Sequence, residues 1–439
     1  MSIEVGVEGE LLERRAIRAL EWSLAAGERA ANRRDLPTLD AALKNARSAS
    51  AHIQDGGQLK FRARLSLLEA ERLMIIADYP AAAETLGGAA HLAEEAGLPE
   101  VVAKARLSEA WIANFAGMQD LDEFDRVVDR AVEACRKAGD ISGEIEARHI
   151  GSNHFWSLGR LSEYIAINER LLAQAREIGD SAHVAAILVR LTPAEGMKGN
   201  QPAAERHIAE AEQMAATLGL RNVALGAMMQ RAGRSFFMGD LVNAESAHRE
   251  FLAAAEDAGA VQYLVSALRF LGRALIFQGR SAEAAPVLDR ALELSETSGE
   301  RWNRSELFGL RARAALQLGE IEAAEGFINR AMSYLRDDDV TAIGEAYDQL
   351  GSIREAQGRH AEAEAARRRA VSAVAQTEYN WMKVDVGLAL AKSLVQRGAL
   401  DEARLLLDEH ERWAREQKIA FWDLEIESLR RSVGAREGA

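Results

Sequence analysis

A glycine that returns every 40 residues constrains this chain more than any other feature. Gly159, Gly199, Gly239, Gly279 and Gly319 are evenly spaced, and Gly358 and Gly398 continue the series one residue early. A second series, Gly139, Gly179, Gly219, Gly259 and Gly299, runs at the same period 20 residues out of phase. Self-similarity at such a period marks stacked supersecondary units, each burying its apolar face only against its neighbours. The 439 residues can therefore form one array where a globular chain of this length would split into two or three domains. An array of this kind presents an extended surface and holds another molecule.

Between successive turns lie segments of roughly 16 residues, long enough for helices of about 24 Å. Leu264, Leu268, Leu271 and Leu275 follow one another at steps of four, three and four, which is one face of a helix. Glycine tolerates the left-handed backbone that closes a helix. The polar residue after it starts the next, as in Gly239-Asp240 and Arg280-Ser281. Six prolines and few β-branched runs favour helix throughout.

The packing logic emerges when residues are counted from the turn inside each unit. Seven residues before it the side chain is always small: Gly27, Ala70, Ala110, Ser152, Thr192, Ala232, Gly272, Ala312, Gly351 or Ala391. Five after it stands Ala82, Ala204, Ala244, Ala284, Ala324, Ala363 or Ala403. Twelve after it stands Ala46, Ala89, Ala211, Ala291, Ala331 or Ala370. Small residues at fixed places let helix backbones approach closely. This order of small residue, turn and two alanines resembles the tetratricopeptide repeat from about Leu11 to about Val433. The period departs from that family's usual 34, and its Trp, Tyr and closing Pro are mostly missing. Repeats of the HEAT and armadillo type also run at 40 to 47 residues, but the alanine and turn positions favour the tetratricopeptide pattern. The longer variant is similar to the sensor arrays of the maltose-regulon activator and related signal-transducing ATPases and cyclases.

The resemblance implies an all-α fold: a right-handed α-solenoid of about ten antiparallel helix pairs, read as one domain over 1–439. The turns within the pairs fall near Arg34, Ala77, Gly117, Gly159, Gly199, Gly239, Gly279, Gly319, Gly358 and Gly398, the third carrying two extra residues around Gly117 to Asp120. Asp337-Asp338-Asp339 and Gln376-Thr377-Glu378 replace glycine at the last two turns between pairs. Repeats span about 11–417, a helix over 418–433 caps the open end, and residues 1–8 and 434–439 are expected to fray. Thr192-Pro193 lies inside a helix and is expected to kink it.

Composition narrows the function. A net charge of −14 disfavours a nucleic-acid surface, which needs basic patches. The single cysteine, Cys135, excludes an internal disulfide and a cysteine-based zinc site. The acidic segment Met1 to Glu10 lacks the pattern of a signal peptide, and no apolar run reaches the ~18 residues of a membrane helix, so a cytoplasmic location is expected. Neither a phosphate-binding Gly-x-x-x-x-Gly-Lys-Ser/Thr loop nor a His-Glu-x-x-His or Gly-x-Ser-x-Gly motif occurs. The expectation is a non-enzyme with no cofactor and no metal, whose effector, where it has one, is another chain.

In tetratricopeptide arrays the first helix of each pair lines the concave groove. The corresponding positions hold Asn114, His149, Asn153, Trp156, Arg190, Met229, Phe236, Arg269, Arg273, Phe277 and Arg313. Arginine clamps a carboxylate with two parallel hydrogen bonds, asparagine pairs with an extended backbone, and Trp and Phe supply desolvated anchor surface. These residues are therefore the expected groove for a protein or peptide partner, with an acidic segment as its natural ligand. Arg269 and Arg273, four apart on one helix face, are its leading pair. A scaffold of this kind is the first reading of function. A ligand-sensing array, answering to a small-molecule or peptide inducer and controlling a separate effector, is the second. The partner's identity and the oligomeric state are not written in the sequence.

Overall fold

The computed structural model of the protein describes residues 2–32, 35–53, 55–116, 120–337 and 339–437. Among these residues there are 21 helices and no strand. In chain order they are α1 (Ser2–Asn32), α2 (Leu36–Ser50), α3 (Asp55–Ile75), α4 (Tyr79–Ala96), α5 (Pro99–Ala116), α6 (Leu121–Ala138) and α7 (Ile141–Ser157). Then come α8 (Leu161–Glu177), α9 (Ser181–Lys198), α10 (Gln201–Leu218), α11 (Arg221–Phe237), α12 (Leu241–Ala258), α13 (Val261–Phe277) and α14 (Ser281–Ser298). The last are α15 (Arg304–Gln317), α16 (Ile321–Ser333), α17 (Val340–Ala356), α18 (His360–Val374), α19 (Asn380–Arg397), α20 (Leu400–Glu416) and α21 (Asp423–Glu437). Odd and even helices make ten pairs, and α21 stands alone after them.

The turns obey the glycine argument. All twelve glycines of the two series have positive φ, from 58° at Gly259 to 104° at Gly199. Ala77, in the second pair, takes the same backbone at φ 62° without being glycine. The turns expected at Arg34 and Gly117, and Asp338, lie outside the described residues. Aspartates start the following helices: the side chain of Asp240 accepts from Asn243 N at 3.2 Å, and that of Asp339 from Ala342 N at 3.1 Å.

Burial matches the packing positions. All ten small residues seven before the turn are buried. A Cβ added to Gly272 would stand 2.6 Å from Leu288 Cδ2, so the two helices of that pair meet at a distance only glycine allows. Leu264, Leu268, Leu271 and Leu275 are all buried. Pro193 sits within α9, which runs through it without a break, and Thr192 Oγ1 donates to Leu188 O at 3.0 Å. Two expectations shift at the ends. Helix begins at Ser2 and continues to Glu437, and the capping helix starts at Asp423 rather than 418 because Lys418, at φ 55°, closes α20 and Trp422 turns inward.

The chain divides into two compact units. One ends at Gly151 and includes Thr297–Gly299; the other holds Ser152–Glu296 and everything from Glu300 onward. The first has a core of Leu20, Leu24, Leu39, Leu43, Phe61 and Leu68. The second has a core around Leu268, Leu271, Leu288, Phe308 and Ile328.

Candidate functional site

All eleven groove candidates lie on the first helix of a pair, as the resemblance implies. His149, Phe236 and Arg273 are buried, and the other eight are half-buried. In the first unit Asn114 sits on α5 and His149 on α7. The remaining nine belong to the second unit; six of them fall into two neighbourhoods, and Asn153 on α7, Arg190 on α9 and Met229 on α11 lie outside both.

The first neighbourhood is a closure made by the C-terminal helices against the turns of the fourth, fifth and sixth pairs. The Glu378 N–H donates to the carbonyl of Gly159 at 2.8 Å, and its carboxylate accepts from Ser162 N at 2.5 Å. Burial opposes the charge of Glu378, but hydrogen bonds from Ser162 and the nearby Lys198 hold its pKa below the ordinary value. Tyr379 Oη donates to Trp156 O at 2.5 Å, Asn380 Nδ2 to Lys198 O at 3.2 Å, and Trp381 Nε1 to Phe237 O at 3.3 Å. The rings of Phe236, Phe237, Phe277, Trp381, Phe421 and Trp422 pack together, with Phe237–Trp381 at 5.0 Å and Trp381–Trp422 at 4.8 Å. Phe236 is 1% exposed. Trp156, Phe236 and Phe277 were expected to anchor a ligand. Trp156 instead stacks edge-on against Tyr379, Phe236 is spent inside this aromatic cluster, and Phe277 forms its border. Desolvated ring surface is worth as much to the chain's own helices as to a partner.

The second neighbourhood is a recess on the first helices of four consecutive pairs, α13, α15, α17 and α19. It encloses about 590 Å³ counted with the solvent at its mouth. Arg273 Nη2 donates to Glu306 Oε1 at 2.7 Å and to Glu345 Oε1 at 2.8 Å, while Arg269 Nη1 donates to both oxygens of Glu306. Their side chains keep only 10% and 12% exposure. The two arginines thus face carboxylates of their own chain, which corrects their expected role as a clamp for an acidic partner. Burial opposes ionisation of Glu306, yet Arg269 and Arg273 pull its pKa down. Glu345 takes the smaller share of Arg273, and burial, with Glu306 beside it, pushes its carboxyl up to about 7.

Elsewhere in the same lining the groups are less well matched. Asp348 is 8% exposed, and its Oδ1 accepts no hydrogen bond. Its nearest cation is Arg367 Nε at 3.9 Å, and that guanidinium is already 2.6 Å from Glu355. Burial and the neighbouring Asp385 push Asp348 up to about 6 against Arg367, Arg313 and Lys392. Asp385 accepts from Trp422 Nε1 at 3.1 Å and makes no ion pair among the described residues. Arg313 lies with its Cζ 4.2 Å from the Phe277 ring centroid and likewise makes none. Arg190 and Met229 lie outside the recess: the Arg190 carbonyl accepts from Tyr164 Oη at 3.5 Å, and Met229 packs on the core around Phe251.

The sequence reading missed the carboxylates. Glu306, Glu345 and Asp385 all stand 13 residues before their turns, in three consecutive units. Arg273, Arg313 and Lys392 stand six before theirs. An acidic row beside a basic row was legible in register; which acid would meet which base was not.

No protein-family model and no curated protein matches the chain. Solved structures do. A Rap protein complexed with Competence and Sporulation Factor superposes over 91% of this chain and 98% of its own, at 10% identity and a TM-score of 0.54. The fold is that of a tetratricopeptide-like repeat protein. Aspartyl phosphate phosphatase F from Bacillus subtilis gives a TM-score of 0.47 at 12% identity over 90% and 94% of the two chains. A signal transduction ATPase with a tetratricopeptide repeat sensor, from Pyrococcus horikoshii, gives 0.46 at 14% identity over 87% of this chain and 57% of its own. Among the described residues of this tetratricopeptide-like array no helix is long and apolar enough to cross a membrane.

Proposed function

We propose that the chain is a non-catalytic scaffold that captures a protein or peptide on the first helices of its second unit. The recess across α13, α15, α17 and α19 carries this reading. It offers the first helices of four consecutive pairs, the rings of Phe277 and Trp381, and the groups Asp385 and Arg313, which make no ion pair among the described residues. Concave surfaces with a few convergent polar groups are where ligands bind. The Rap protein of the same fold is complexed with a factor of its own, which supports the reading by analogy of fold alone.

The test is selection of a displayed random-peptide library on the full chain, repeated with Ala342→Trp, which fills part of the recess without changing its charge. Enrichment of a shared sequence by the parent and its loss with the variant is the expected result. A library that yields no sequence above background sinks the scaffold. A sensing role is the second reading, favoured by the closure between Glu378–Trp381 and the turns at Gly159, Gly199 and Gly239. Small-angle scattering with and without an enriched peptide separates the two, since a sensor changes its radius of gyration and a passive scaffold does not.

A further inference from the structure

Most ionic groups of the recess are satisfied from within. Glu306 and Glu345 share Arg269 and Arg273. Glu355 takes Arg367 at 2.6 Å and Lys392 at 3.4 Å. Once these pairs are set aside, Asp348 keeps Arg367 Nε at 3.9 Å and a hydrogen bond from Gln349 Nε2 to its Oδ2 at 3.3 Å but none to its Oδ1, Asp385 keeps the Trp422 hydrogen bond, and neither Asp385 nor Arg313 makes an ion pair among the described residues. A buried acceptor that lacks a donor costs the fold free energy unless something fills it. The mismatch is also one of sign, because the unmatched set is one cation short. A proton can fill the gap, and so can a positively charged ligand. Among the described residues no three His, Cys, Asp or Glu side chains converge closely enough to hold a metal ion. Phe277 and Trp381 also line the recess, and aromatic faces attract organic cations.

We propose that the recess between Asp348 and Asp385 is the subsite for a cationic side chain, a guanidinium or a primary ammonium, of the captured peptide. This rests on the scaffold reading above and gives the partner's segment a sign, basic rather than acidic. Asp348 and Asp385 accept the N–H donors. Trp381 borders the planar or methylene portion, and Arg313 stays on the Phe277 ring. Asp348 is faced by Asp385 and Lys392 from α19, Arg313 from α15, Arg367 from α18 and Glu425 from α21. Its protonation competes with the ligand, so binding strengthens from pH 5 to pH 8.

The probe is acetyl-Gly-Arg-Gly-amide, titrated calorimetrically into the full chain at pH 8, with the neutral citrulline isostere as control. A charge-assisted pair is worth about a tenfold change in affinity or more. The arginine probe is expected to bind at least tenfold more tightly than its citrulline twin. That margin should be lost at pH 5 and in Asp348→Asn, with Asp385→Asn as the second variant should Asp348→Asn melt early. Equal binding of the two probes, no heat from either, or an unchanged margin in both variants overturns the subsite. Library peptides that still enrich while the arginine probe fails leave the scaffold standing without this subsite. A library without enrichment removes the scaffold, and with it the basis of the subsite.

Discussion

The closure and the recess of the second unit are neighbours that share Phe277 and Trp381, yet they spend their side chains differently. In the closure every named polar group is answered from within the chain. Tyr379 has Trp156 O, Trp381 has Phe237 O, and Glu378 has Ser162. In the recess, among the described residues, Asp348 Oδ1 has no hydrogen-bond donor, and Asp385 and Arg313 make no ion pair. A satisfied apolar cluster serves stability, whereas incompletely paired charges in a recess are the kind of group through which the proposed capture would act. Helices of the same repeat, in the same register, divide these tasks.

The largest test of the contrast sets a ring of the aromatic closure, which also borders the recess, against an ion pair of the recess. Trp381→Ala removes a ring that packs on four aromatic neighbours and should cost about 3–5 kcal/mol at any pH between 5 and 8. Arg273→Ala leaves Glu306 and Glu345 buried without their shared cation and should also cost about 3–5 kcal/mol at pH 8. Its penalty should shrink as pH falls through about 7 and Glu345 takes a proton. Denaturant unfolding at the two ends of that pH range distinguishes them. A cost for Arg273→Ala that ignores pH breaks the comparison.

A second test uses the turns. Gly239 and Gly279 occupy the same place in consecutive units, at φ 90° and 75°. A Cβ on Gly239 would stand 3.0 Å from the backbone N and Cα of Phe421, whereas one on Gly279 meets open space. Gly279→Ala should cost only the left-handed backbone penalty, about 1–2 kcal/mol. Gly239→Ala should cost more, because backbone must also give way. Equal losses would show that the closure does not hold the sixth pair's turn.

The pH dependence of stability sharpens the recess side. Asp348 has its folded pKa raised to about 6, above its ordinary carboxyl value, chiefly by burial. The folded chain therefore binds the proton more tightly than the unfolded chain. Stability contributed by that proton is present at low pH and is lost as pH rises through about 6, on the order of 2 kcal/mol. Thermal melts from pH 5 to pH 8 should fall less steeply for Asp348→Asn than for the parent. The smallest expected effect lies in the first unit. Ala77→Gly relieves a left-handed non-glycine turn and should stabilise by about 0.5–1 kcal/mol, read as a raised melting midpoint.

Much of this molecule is local physics and was legible as such. The glycines at 20-residue spacing set where helices end, because a left-handed backbone is cheap only there, and the alanine positions set how closely helices pack. From those facts followed ten pairs and a final lone helix; that Asn114 through Arg313 would line a groove came only from the resemblance to tetratricopeptide arrays. Arg269 and Arg273 show where that reasoning stopped. Their spacing placed them on one face, but only the fold brought Glu306 from 37 and Glu345 from 72 residues away to meet them. The closure is more distant still, joining Trp156 to Tyr379 across 223 residues. A repeat specifies its nearest neighbours through a short period, whereas contacts between far units depend on the small rotation from each pair to the next, summed over many pairs. That sum is a property of the tertiary structure, and it decided which side chains the chain's own far elements pair with and which they do not.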